Sequence, residues 1–342
     1  MTPSSKRPKK TSMHHLAGIL SVAVPILVAS PSRADVPFKL QPQLLSAEAY
    51  GETFSLVADL GEQGYVQAQI AFSNLGPGDH HGACRFMVIE GENKPWSAAK
   101  RFDRDEWRVE KDALKVGPCR LESGDTLQLT APLDDGKIVL TLHAPAKAVA
   151  PPEHRIDLED NFYEVEVLVP WAPATLSMHR KGAKSKTLTG FGYADHSRST
   201  ALPSRIARLW VRFRAMNPEQ AQLLLLRFPE GKKPPKGWFW STGTPNPSPI
   251  KQARIQRARE KRGGGKQNSR PWRAMVQTSN GAVQLRSQKL LKRHAPIEEY
   301  GFLGRIASAV IGNPVTYTFR GQIRMKGQPP VSGIMEVTVT DE

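Results

Sequence analysis

The chain has 342 residues, a formal net charge of +16 and two cysteines. That length suits two domains of ordinary size. Apart from one leader-like run, no apolar stretch approaches the roughly 20 residues of a membrane-crossing helix, which excludes a multi-span helical protein.

Met1 to Ala34 reads as a secretory signal peptide. Lys6, Arg7, Lys9 and Lys10 form a positive start, and Leu16 to Ala29 an apolar run. Ser32-Arg33-Ala34 then sets small residues at the −3 and −1 positions of a cleavage site. An uncleaved N-terminal anchor is the alternative reading. Export predicts a periplasmic or secreted protein. A basic exported chain suits an anionic membrane surface, and no nucleic-acid partner is expected. Cys84 and Cys119 are candidates for a disulfide in an oxidising compartment, with two buried free thiols as the other reading.

From Tyr50 onward the pattern is β. Val66, Ala68, Ile70 and Phe72 alternate with Gln67, Gln69 and Ala71, and a second strand runs from Ala83 to Ile89 beyond the loop 76–82. Trp96 to Arg108 shows no clear period. A short strand is expected over Leu114–Leu121, broken at Gly117-Pro118. Asp134-Asp135-Gly136 sits between two alternating runs as a hairpin turn. Ala144–Pro152 is linker-like. Tyr163, Val165, Val167 and Val169 mark another strand, with shorter ones at Leu176–Met178 and Thr187–Leu188. Short strands at this spacing indicate a sandwich or an antiparallel barrel.

The second half repeats that grammar. Strands are expected at Leu209–Ala215, Leu223–Phe228, Ala274–Thr278, Val283–Arg286, Val315–Ile323 and Ile334–Val339. Tyr300, Leu303, Ile306, Ala307, Val310 and Ile311 follow a helical period that stops at Gly312-Asn313-Pro314. Pro245–Arg273 carries many basic residues and Gly263-Gly264-Gly265. It reads as a flexible solvated insertion, or as an arm for an anionic membrane surface. The Trp238-Phe239-Trp240 triplet is read as partly buried under that loop, or as facing a membrane or cavity rim.

The candidate site lies between the halves. Gly190-Phe191-Gly192 reads as a loop that delivers Tyr193, Asp195 and His196. The strand after it puts Ala207, Leu209, Val211, Phe213 and Ala215 on one face, and Arg208, Trp210, Arg212 and Arg214 on the other. An ordinary structural turn is one reading. A polar group at the mouth of an apolar calyx is a second, with Tyr193, His196 and Trp210 on the ligand. A third is catalysis: Asp195, its pKa raised by burial, protonates a carbon–carbon double bond while Tyr193 or Trp210 faces the cation. No metal site and no cofactor are expected, because the adjacent pair His80-His81 is poorly placed to share one ion. Gly-x-Ser-x-Gly, phosphate-loop and dinucleotide fingerprints are absent.

Gly190-x-Gly192, His196, Pro203, Ala207 and Trp210 together resemble the middle of the fungal survival-factor proteins. Leu303 to Tyr317 resembles their C-terminal part, and Gln69 to Asn74 an early strand. That family is similar to bacterial carotenoid hydratases. The resemblance implies two consecutive lipocalin-like barrels, a hydrophobic lipid or isoprenoid ligand, and a role in oxidative-stress survival. The hydratases imply acid-catalysed addition of water, with Tyr193 and Asp195 as the residues that carry over. Their motif continues into an Asn-Trp-Gly-like ending, where this chain has Ser197-Arg198-Ser199. The expected protein is therefore all-β: a signal peptide (1–34), one lipocalin-like barrel (35–200) and a second (201–342), with one or two short helices. A closed barrel of about eight strands can hold one small apolar ligand inside.

Overall fold

The computed structural model describes residues 38–75, 78–91, 95–257, 272–295 and 314–340. The leader, the basic stretch 258–271 and the helix expected near 300–311 lie outside the described residues.

Alternating apolar residues make twelve strands in the first sheet. They are β1 (Gly51–Asp59), β2 (Tyr65–Ser73), β3 (His81–Ile89), β4 (Trp96–Phe102), β5 (Trp107–Val109), β6 (Ala113–Val116), β7 (Cys119–Ser123), β8 (Leu127–Leu133), β9 (Gly136–Leu142), β10 (Arg155–Leu158), β11 (Asn161–Arg180) and β12 (Lys186–Ser199). The order is β4-β3-β2-β1-β12-β11-β9-β8-β7-β6-β5, with β10 paired to β11. The sheet curls into a nearly closed barrel around Phe54, Leu56, Ile70, Phe72, Leu121, Leu129 and Leu140. Cys84 on β3 and Cys119 on β7, both fully buried, are joined by a disulfide. Neither strand is the other's hydrogen-bonded neighbour, so the bond ties opposite ends of the sheet across the interior. A loop of this length constrains the unfolded chain by roughly 3–4 kcal/mol.

A short helix α1 (Pro203–Ile206), with Pro203 in its first turn, leads into the second sheet. Its strands are β13 (Leu209–Ala215), β14 (Gln222–Phe228), β15 (Lys236–Ser241), β16 (Ser248–Arg257), β17 (Trp272–Thr278), β18 (Gly281–His294), β19 (Val315–Met325) and β20 (Val331–Val339). They close into a barrel in chain order, with Val211, Phe213, Leu226, Phe239, Phe319 and Val337 inside. The fold is thus two antiparallel β-barrels in tandem.

Several local expectations change. Gly190–Ser199 is part of β12 and not a loop. Neither glycine has a positive φ. Each is small because the chain is crowded: a Cβ on Gly190 would lie 2.1 Å from the Asp59 carbonyl oxygen, and one on Gly192 2.2 Å from Leu142 Cδ2. The segment expected to be flexible from Pro245 begins as strand β16, where Ile250, Ala253 and Ile255 join the core. Arginines between those residues hide the alternation in a composition count. Trp96 and Trp107 sit among charges because guanidiniums cover them. Trp96 packs edge-on to Phe86 beneath Arg180, and Trp107 lies 4.0 Å under Arg104.

Candidate functional site

Successive side chains on a strand point to opposite faces, and this decides the site. The outward faces of β1, β2, β11 and β12 meet the outward faces of β13, β14, β15 and β20. Val57, Tyr65, Tyr163, Tyr193, Trp210, Leu225, Trp238 and Ile334 are buried there as one cluster. Polar clamps fix the contact. Arg320 Nη1 donates to Asp59 Oδ1 at 2.5 Å. Lys236 Nζ reaches Glu153 Oε2 at 2.9 Å, and Arg227 Nη2 the Glu153 carbonyl oxygen at 2.7 Å.

Between these faces lies a cavity of about 690 Å³. Most of its lining residues point away from the two barrel cores. The expected calyx is therefore displaced: this cavity opens between the barrels rather than inside either of them.

Two cross-strand rows build the facing walls. In the first barrel, Asp195 pairs with Ser55, Ser55 with Gln69, and Gln69 with Arg85. Gln69 Nε2 donates to Ser55 Oγ at 2.7 Å, and Arg85 Nε to Gln69 Oε1 at 2.5 Å. In the second barrel the row is Trp238, Leu225, Arg212, Glu336, Thr318 and Lys292. All ten residues line the cavity.

The polar centre is buried. Arg214 Nη1 donates to Glu336 Oε2 at 2.6 Å, its Nη2 lies 3.7 Å from Asp195 Oδ2, and its guanidinium sits 4.8 Å over the Tyr193 ring. Tyr65 Oη donates to Glu336 Oε1 at 3.1 Å across the interface. Burial pushes the Glu336 carboxyl up, but Arg214 and Arg212 outweigh it and hold the group below the usual carboxylate range. Burial first, then the charge of Asp195, raise the Tyr193 phenol well above its ordinary value. Tyr193 is thus a neutral phenol beside Asp195. The centre holds two acids and two arginines, Arg212 and Arg214, around one end of the cavity.

Tyr193 and Asp195, two apart on β12, share the cavity face as a strand requires. His196 falls on the opposite face and does not line the cavity. Inside the first barrel its Nε2 lies 2.6 Å from Glu52 Oε1, its Nδ1 3.7 Å from Glu166 Oε2, and its ring stacks on Phe54 at 4.2 Å. Burial alone would lower its pKa, but Glu166 and Glu52 raise it. Tyr50 Oη also donates to Glu52. Trp210 is buried in the interface, edge-on to Tyr163 at 5.1 Å, and does not line the cavity. Trp238 does, and Trp240 packs on Trp171 beside it. Arg214, Glu336, Gln69 and Arg85 were not among the expected site residues. The arginine face of β13 was visible in the sequence, but nothing there shows that it meets another barrel rather than water.

No protein-family model matches the chain, and no curated protein sequence does. Solved structures do match. A protein described as AttH from Nitrosomonas europaea is 14% identical over 85% of this chain and 92% of that one, with a TM-score of 0.55. Kievitone hydratase from Nectria haematococca is 11% identical over 89% and 93%, with a TM-score of 0.54. CghA, solved with Sch210972, is 10% identical over 91% and 96%, with a TM-score of 0.52. At these identities the likeness shows the fold, a lipocalin-like double barrel spanning nearly the whole chain. None of the three is described as a survival factor.

Proposed function

We propose that the protein binds a small hydrophobic ligand between its two barrels. The cavity carries this reading. Its volume falls in the ordinary range for small-molecule sites. Leu223, Leu225, Val165 and Trp238 give it apolar walls, and Tyr193, Asp195, Arg214 and Glu336 converge at one end. Native mass spectrometry of protein purified from its own envelope fraction tests it. Wild type should carry a small molecule that a Leu225→Trp variant, its cavity filled, has lost. A wild type that arrives empty and takes up no lipid, or a variant that keeps the ligand, overturns the reading.

The Tyr193–Asp195 pair favours a second step, hydration of a carbon–carbon double bond. Asp195 in its acid form gives a proton to one alkene carbon. Water adds to the cationic neighbour carbon and returns a proton to the carboxylate, with the faces of Tyr193 and Trp238 stabilising the cation. The shared fold of kievitone hydratase supports this chemistry. Asp195→Asn should keep the ligand within a few-fold and lose about 10²–10⁴ in turnover, the usual share of a general acid. A variant with full turnover removes Asp195 from the mechanism. The leader-like N-terminus and the Cys84–Cys119 disulfide support action in an oxidising compartment outside the cytoplasm. A part in oxidative-stress survival is proposed on the motif resemblance.

A further inference from the structure

We propose that the outward face of strands β16 to β19, on the second barrel, docks on an anionic lipid surface. The inference does not depend on what the inter-barrel cavity holds.

The strand pattern makes the face. Ile250, Ala274, Val276, Val283, Leu285 and Ile323 point into the barrel core, so the residues between them point out. Lys251, Arg254, Arg273, Arg286 and Arg324 stand there, and Lys326 follows in the turn after β19; all six are exposed. The register draws them together. Arg254 lies opposite Met275, Met275 opposite Gln284, and Gln284 opposite Arg324. In the next row Arg273 lies directly opposite Arg286. Like charges so placed repel and cost stability, which a glutamate at either position would relieve. Lys251, Arg254 and Arg273, from the stretch expected to form a flexible arm, are thus fixed in a sheet.

No acid offsets these charges. From Ser248 to Thr340 the only carboxylate among the described residues is Glu336, which is buried at the cavity. Arg320, further along β19, is held by Asp59 of the first barrel. The first barrel treats its surface differently: Arg120 pairs with Glu110 and Glu122, Arg155 with Asp157 and Glu164, and Lys186 with Glu90. None of the six cations has such a pair among the described residues. Four strands span about 14 Å, so the face carries a concentrated field of one sign.

A plane of phosphates answers that field. The outside of a closed barrel is convex and offers a polymer no groove, and no aromatic side chain stands on this face to stack a base. Met275, 49% exposed, stands among the cations instead. An apolar tip ringed by arginines suits a headgroup layer, where charge attracts and buried apolar area adds to it. Further along, β18 and β19 carry His294, Thr316 and Thr318 of the cavity wall. A protein docked here holds its cavity within a strand's length of the bilayer.

Co-sedimentation with vesicles tests this, using the protein as isolated from cells at about 0.1 M salt. Vesicles of phosphatidylcholine and phosphatidylglycerol in equal parts should bind about tenfold more tightly than phosphatidylcholine alone. Arg254→Gln with Arg324→Gln, and separately Arg273→Gln with Arg286→Gln, should each lose about tenfold. Lys137→Gln with Lys184→Gln, at two exposed cations of the first barrel, should lose less than about twofold. The variant changed at Arg273 and Arg286 should melt no lower than wild type, because it removes a repulsion, so its lost binding is not lost folding. Met275→Gln should weaken vesicle binding about threefold and leave binding of dextran sulfate, a soluble polyanion, unchanged. Equal affinity for both vesicles overturns the proposal, as do equal losses from the first-barrel lysines. Dextran sulfate bound as tightly as the anionic vesicles, with Met275→Gln changing neither, assigns the face to a soluble polyanion and overturns it too.

Discussion

At the scale of single residues, one strand separates two chemistries. Tyr193 and Asp195 look outward to the cavity, while His196, next after Asp195 in sequence, looks into the first barrel and meets Glu52 and Glu166. The histidine sits against a fully buried glutamate and away from the cavity lining. Removing one partner of a buried ion pair leaves an uncompensated charge. His196→Gln should therefore cost about 3 kcal/mol near pH 6. The folded state holds the imidazole proton more tightly than the unfolded chain does. The stabilisation is complete below the ordinary histidine value of about 6.5 and fades as pH rises through the higher folded value. Melting curves from pH 5.5 to 9 should show the gap between wild type and variant narrowing as pH rises. A constant or widening gap would mean that His196 is neutral in the fold.

At the scale of elements, β12 shows why two glycines sit in the middle of a strand. β12 is paired on both edges, to β1 and to β11. At Gly190 a side chain would strike backbone, which cannot yield. At Gly192 the nearest atom is the end of the Leu142 side chain, which can turn. Gly190→Ala should thus destabilise by about 2–3 kcal/mol and Gly192→Ala by about 1 kcal/mol, within the range for overpacking. Denaturant unfolding of the two variants checks the order, and the reverse order would refute the crowding argument.

At the scale of the whole molecule, the two barrels share a core. Trp238, Leu225 and Trp210 of the second are buried against Tyr163, Val167 and Tyr193 of the first. The charges Arg214 and Glu336 are buried with them. A segment of 38–200 or 201–340 made alone would expose this face, and exposed apolar patches of that kind drive association. Each half should aggregate or bind a hydrophobic dye, and co-expression should recover a soluble complex. Gel filtration decides it: two soluble monomeric halves with cooperative melts would show that the interface is dispensable.

The alternation of Val66, Ala68, Ile70 and Phe72, or of Val315, Tyr317, Phe319 and Ile323, determines strand and inward face without further help, because a period of two admits one buried side. The same rule, applied to Leu209–Ala215, already placed Trp210, Arg212 and Arg214 on a common outward face. It could not say what that face touches. Pairings such as Asp195 with Ser55, or Glu336 with Thr318, join residues far apart in the chain, and local pattern carries no information about them. Glycines at 190 and 192 look the same in sequence whether they free a turn or admit a neighbour. Only the folded chain, by bringing the outsides of two barrels together, turned scattered polar residues into one cavity wall and sent His196 to the other side.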